Sequence, residues 1–295
     1  MNNRQYVRTD LASECPELES GKGLCGIKLT EDTQKNVKLT TVDVLNEDGQ
    51  KLIGKPIGRY VTLEFEKVHM LDQDDTDDIT EALLEVIKDM TQEILQNIIS
   101  PTVLVIGLGN RYITPDAVGP LTVKDVTVTR HIEQMDEKLF KSIKMHSVSA
   151  IAPGVSGQTG IETFDTVKSA VNTVNPDIII AIDAIASRNA DRLARTIQIS
   201  NSGITPGSGI GSNNKAINKD TLGVPVIAIG IPTLVSSATL VYDALEKAGI
   251  QNIDTDLEKI LQNGTSFYVT PNDCDLVTST LSKLVSNSLN LFFSA

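Results

Sequence analysis

The sequence predicts an α/β protein of three layers: helices on both faces of a mostly parallel central sheet, with a small N-terminal β-hairpin beside it. Three observations carry this expectation. Runs such as TVLVIGL (102–108), DIIIAID (177–183) and VPVIAIGI (224–231) are apolar at successive positions, so both faces of each strand must be covered. These runs alternate with segments of helical periodicity, the pattern of strand–helix–strand units. The 295-residue chain is 40% hydrophobic and 22% charged, an ordinary globular composition that sustains a large core without staples.

Residues 1–24 hold Gly, Ser, Glu and Pro with few periodic apolar positions, and read as an extended or disordered arm. NVKLTTVDVL (36–45) and GRYVTLEF (58–65) are β-rich and flank EDGQ, a turn signal, which predicts a hairpin. In residues 72–99, Ile79, Leu83, Ile87, Met90, Ile94 and Ile98 form one stripe of an amphipathic helix. Its acidic first turn suits the positive end of the helix dipole. The alternation then begins. TVLVIGL is followed by a helix over about 117–132, HSVSAIA (146–152) by a helix near 161–174, and DIIIAID by a helix near 186–194. TIQIS (196–200), the Gly/Ser/Asn-rich segment 201–215, VPVIAIGI, a helix near 234–248, SFYVT (266–270) and a helix over 272–292 complete the chain.

The net charge of −12 argues against a nucleic-acid binder, because phosphate contact needs clustered Lys and Arg. No apolar run approaches the ~20 residues of a membrane span, and MNNRQYVRTD lacks the apolar stretch of a secretory signal. Cys15, Cys25 and Cys274 are odd in number and lack metal-ligand spacing, which fits a reduced, cytoplasmic setting.

In open parallel sheets, ligands gather beyond the carboxyl ends of the strands. Two acids fall there: Asp116, in the GLGNRYITPDAVGP segment after TVLVIGL, and Asp183, which ends DIIIAID. Neighbouring strands lie about 4.8 Å apart, so carboxylates from adjacent strands can meet. Close pairing leaves one acid protonated and the other ionised, the arrangement that activates water and protonates a leaving amine. The competing expectation is that each Asp caps the helix after it. GLGN does not complete a dinucleotide-binding loop, GVSGQ (154–158) does not complete a serine nucleophile elbow, and no cofactor is expected. His131 and His146 have no ligand partners at metal spacing, so structural roles and no metal are expected. Gly154, Gly157, Gly207 and Gly209, in the Gly/Ser-rich segments 154–160 and 202–214, are candidates for presenting backbone N–H groups to a substrate.

These blocks, with SAIAPGVSGQTGIET (149–163), NPDIIIAIDAIASR (175–188), TIQISNSGITPGSGIGSNNK (196–215) and YVTPNDCDL (268–276), resemble the germination proteases of spore-forming bacteria. The resemblance implies a fold similar to hydrogenase maturation proteases and an atypical aspartic-type endopeptidase. It implies small acid-soluble spore proteins as substrates, a homotetramer, and a cytoplasmic location in the spore core or forespore. The two family acids fall on Asp116 and Asp183. Family substrates are cut after the first acid of a Thr/Ser-Glu-Phe/Ile-Ala-Ser-Glu motif, and RTDLASE (8–14) is similar to it. This implies a precursor that cleaves its own Asp10–Leu11 bond, with residues 1–10 as propeptide and 11–295 as one peptidase domain. Residues 246–266 bridge the GIPT helix and VTP block more briefly than in relatives. Two alternatives remain at this point: a metal-dependent peptidase like the hydrogenase maturation enzymes, and a non-catalytic binder of spore proteins.

Overall fold

A computed structural model describes residues 9–19, 25–96, 98, 100–207, 214–250, 257, 259–261 and 267–294. A 3-10 turn (Ala12–Glu14) and α1 (Pro16–Glu19) precede β1 (Ile27–Gln34), β2 (Val37–Val44), α2 (Glu47–Ile53), β3 (Gly58–Glu64) and α3 (Gln73–Leu95). Then come β4 (Thr102–Gly107), α4 (Val118–Lys124), α5 (Arg130–Met135), α6 (Glu137–Ile143), β5 (Ser147–Ile151), α7 (Ser156–Thr159) and α8 (Thr163–Val174). The remainder is β6 (Ile178–Ser187), β7 (Thr196–Ser200), α9 (Lys219–Leu222), β8 (Val226–Ser236), α10 (Ser237–Lys247), β9 (Tyr268–Val269) and α11 (Cys274–Phe293).

The strands form one mixed sheet in the order β1-β2-β3-β7-β8-β6-β4-β5, with β9 paired to β8. The apolar runs β8, β6, β4 and β5 are its parallel half. β7 pairs antiparallel to both β3 and β8. A parallel crossover needs a dozen or more residues, and the link from β6 to β7 holds only a 3-10 turn, Ala190–Arg192.

The N-terminal strands depart from the expected hairpin. β2 and β3 do pair antiparallel, from Lys38 opposite Glu64 to Val44 opposite Gly58. EDGQ, however, opens α2 rather than a turn, because the Asn46 side chain caps it by accepting the Asp48 and Gly49 amides at 3.1 Å each. The tight hairpin is β1–β2, turning at Lys35 and Asn36. β1 is exposed along most of its length, so IKLTEDTQ carries no apolar alternation to announce it.

α3 begins with a capping box between Asp72 and Asp75, which accounts for its acidic start. It buries Ile79, Leu83, Ile87 and Met90 but stops at Leu95, so Ile98 leaves the stripe and is exposed. The helix expected over 117–132 breaks into α4 and α5. The β-branched VTVT segment disfavours helix, and Thr129 instead exchanges hydrogen bonds with Val148 of β5, N to O at 3.0 Å and N to Oγ1 at 2.9 Å.

One face of the sheet is covered by α3, α4 and α11, in a core that includes Val103, Val105, Ile178, Ile180, Ile182, Ile197, Ile199, Ile227 and Ile229. On the other face, α8 covers Leu104, Ile106, Ile179 and Ala181. Farther along that face, Ala12, Cys15 and Leu18 of the N-terminal segment cover Val42, Val44 and Tyr60. The arm over residues 9–19 is therefore ordered and packed, against the expectation of an extended or disordered segment. Residues 1–8 and most of 251–266 lie outside the described residues.

Candidate active site

β4 ends at Gly107, opposite Ile182, and Leu108 N donates to Ile182 O at 2.8 Å. β6 loses that neighbour one residue before Asp183. The strand does not stop there. It runs on to Ser187 beside β8, with Asp183 opposite Gly230 and a bulge between Ile185 and Ala186. The helix expected near 186–194 is absent, replaced by strand and the 3-10 turn, so Asp183 caps nothing.

Asp116 ends the 3-10 turn Thr114–Asp116, and no cap bond from it to α4 forms. Its Oδ2 instead accepts the Asn110 amide at 2.8 Å. Gly109, at φ +108°, permits this fold-back, because a Cβ there would come 2.1 Å from Asp116 O. Gly119 then seats α4 on the sheet: a Cβ would meet Leu108 O at 2.3 Å and Ile182 O at 2.6 Å.

The electrostatics single out Asp183, which is 4% exposed. Burial pushes its carboxyl well above the usual carboxylate range, the charges of Asp116 and then Asp10 push it further, and a hydrogen bond from the Ala184 amide opposes them. Burial also raises Asp116, against the Asn110 amide, which lowers it. A cavity of about 500 Å³ opens beside Asp183. Gln198, Ser200, Ala228 and Gly230 line it from the strands, while segments 202–205 and 216–218 contribute loop residues. Asp116 is not one of the lining residues.

The arm enters this cavity. Asp10 N donates to Ala186 O at 2.9 Å, and Ala186 N donates to Asp10 Oδ2 at 2.9 Å. Gln198 straddles the Asp10–Leu11 bond: Nε2 donates to Asp10 O at 3.2 Å, and Oε1 accepts Ala12 N at 2.7 Å. Lys55 Nζ donates to Thr9 O at 2.9 Å. Leu11 and Ala12 are both fully buried.

Of the candidate glycines, Gly207 lines the cavity. Gly154 and Gly157 do not, although Gln158 of their segment donates to the Asn110 side chain beside Asp116. Gly209 lies outside the described residues. Sequence reasoning missed Gln198, Ala186 and Lys55. Gln198 had a signal, being the polar centre of an otherwise strand-forming TIQIS. His146 is buried, its ring 5.5 Å from that of Phe292, and burial lowers its pKa. Among the described residues no group of three or more His, Cys, Asp or Glu is arranged to hold a metal, and no helix is long and apolar enough to cross a membrane.

The family model described as germination protease matches residues 6–252. The chain belongs to the germination protease family. Germination proteases from Clostridium perfringens and Caldanaerobacter subterraneus are 39% and 38% identical to it, each over 97% of this chain, and over 94% and 93% of their own lengths. The Bacillus licheniformis germination protease is 41% identical over 82% of this chain and 67% of its own. Among solved structures, a NiFe hydrogenase maturation protease from Thermococcus kodakarensis is 14% identical, with a TM-score of 0.36, covering 68% of this chain and 98% of its own. As a germination protease the chain is a peptidase.

Proposed function

We propose that this chain is an aspartic-type endopeptidase that opens the degradation of small acid-soluble spore proteins at germination. It is made as a precursor in the forespore, cleaves its own Asp10–Leu11 bond, and works as a homotetramer in the spore core. The observation that carries the reading is the company of Asp183. One buried carboxyl feels both Asp116 and Asp10, while Gln198 holds the peptide bond that follows Asp10.

Burial raises both carboxyls, and in this scheme the more deeply buried Asp183 takes the role of acid and Asp116 that of base. Asp116 takes a proton from water as the water oxygen bonds to the Asp10 carbonyl carbon. Gln198 Nε2 donates to the carbonyl oxygen as charge develops there. The Asp10–Leu11 C–N bond then breaks, and Asp183 gives its proton to the Leu11 nitrogen. The Ala186 amide fixes the acid that precedes the cut.

The test is the mass of the purified chain followed over time. Wild type loses residues 1–10, whereas Asp116→Asn and Asp183→Asn keep them. Normal processing by both variants would overturn the assignment.

A further inference from the structure

β1 is the outermost strand of the sheet, and among the described residues β2 is its one neighbour. Its 8 residues, IKLTEDTQ, are exposed from Lys28 to Thr33. The direction of its main-chain groups follows from one bond: Leu45 N donates to Gly26 O at 2.8 Å. Bonded pairs alternate along an antiparallel ladder, so Lys28, Thr30 and Asp32 also turn their N–H and C=O toward β2. Ile27, Leu29, Glu31 and Thr33 turn theirs outward. A long free edge of this kind is a template for another strand, and this one holds neither a proline nor a bulge to block it.

We propose that β1 pairs antiparallel with β1 of a second copy of this chain, across a two-fold axis at Thr30, and so joins two sheets into one. The inference rests on the chain working as a homotetramer and names one contact of that assembly. In this register Leu29 meets Glu31 of the copy and Ile27 meets Thr33 of the copy as bonded pairs, with about eight hydrogen bonds in all. Between them, where side chains come closer, Lys28 meets Asp32 of the copy on both sides of the axis, and the two Thr30 side chains meet on it. On the other face the two Leu29 side chains lie diagonally across the axis, and Leu29 is 39% exposed in the single chain.

The charges choose this register. Charged side chains on an edge strand usually keep copies apart, and here they do so in every neighbouring alignment. An axis at Glu31 sets two glutamates against each other, and an axis at Asp32 sets two aspartates against each other. An axis at Leu29 leaves Lys28 opposite Thr30, with no acid to meet. An axis between residues opposes outward groups to inward ones and loses the ladder. At Thr30, Lys28 gains an acid, while Glu31 keeps Lys38 of its own chain at 2.8 Å. Asp32 Oδ1 accepts Thr33 N at 2.8 Å in the single chain. On pairing, Ile27 O of the copy takes that amide and Asp32 turns to Lys28 of the copy.

Sedimentation of the purified chain over a range of concentrations tests this. Lys28→Asp and Asp32→Lys, each alone, should raise the dissociation constant of the contact about tenfold or more, because both ion pairs become repulsive. Mixed together, the two variants should associate with each other as wild type does, since each then faces the opposite charge. Leu29→Pro should weaken the contact about tenfold or more with an unchanged circular dichroism spectrum, because the N–H it removes faces away from β2. Single variants that assemble like wild type, or a mixture that associates no better than either variant alone, overturn the interface. A wild-type tetramer that none of the three substitutions alters sinks the β1 contact alone. A wild-type dimer that they split into single chains sinks the tetramer alone, and a wild type that stays a single chain sinks both.

Discussion

The two faces of the central sheet are built from alternate residues of the same strands and do different work. On the face under α3 and α11, Ile182, Ile197, Ile199 and Ile229 join a continuous apolar core. Their neighbours Asp183, Gln198, Ser200 and Gly230 line the cavity on the opposite face. There, the cover of α8 ends and that of the N-terminal segment begins, leaving a polar floor between two apolar clusters. Because a strand alternates its side chains with period two, one backbone can be anchored in a core on one side and line a polar cavity on the other. A carboxyl that burial makes costly is tolerated at Asp183 because the strand holding it is fixed from behind.

That division can be broken or sharpened by substitution. The largest effect belongs to Asp183→Asn, which should slow self-processing on the order of a thousandfold or more, as loss of a group acting in a catalytic unit does. The rate of mass loss measures it. Leu281→Ala, in the closed face, should cost about 2–5 kcal/mol in urea unfolding by leaving a cavity. Cleavage per folded molecule should stay near wild type, and a parallel fall in that rate would show that the faces are not independent. Gly119→Ala joins the two. Its new methyl would press on backbone oxygens of Leu108 and Ile182, costing about 1–3 kcal/mol and slowing cleavage by shifting the turn that carries Asp116.

The smallest effect is a pH slope. The folded-state pKa of Asp183 lies above its ordinary value of 3.8, so the group's contribution to stability is complete below that value and is lost as pH rises through the folded-state pKa. Asp183→Asn should remove this loss and gain on wild type in thermal stability from about pH 4 upward. Equal pH profiles for the two proteins would show that Asp183 is not the strained group of the open face.

The parallel half of the sheet was legible because its strands are apolar on both faces, and α3 because its stripe repeats at helical spacing. β1 was not legible, since an exposed edge strand needs no apolar pattern. Nor was the run of β6 past Asp183. AIASR has the composition of a helix start, and only pairing with β8 keeps it extended.

For the site, the sequence placed Asp116 and Asp183 beyond the end of β4 and marked RTDLASE as resembling a cleavable motif. Local pattern could not choose between a cap and a coupled carboxyl, since both ask for an Asp at a strand–helix junction. The sequence thus determined which acids and which peptide bond are available. Tertiary structure alone decided where the arm docks on the sheet. It carried Asp10 to Ala186, Gln198 across the bond and Glu14 to Ser187, contacts spanning more than 170 residues of chain. Such contacts are fixed by sheet order and by the gap in the outer layer, and neither leaves a periodic trace in the sequence.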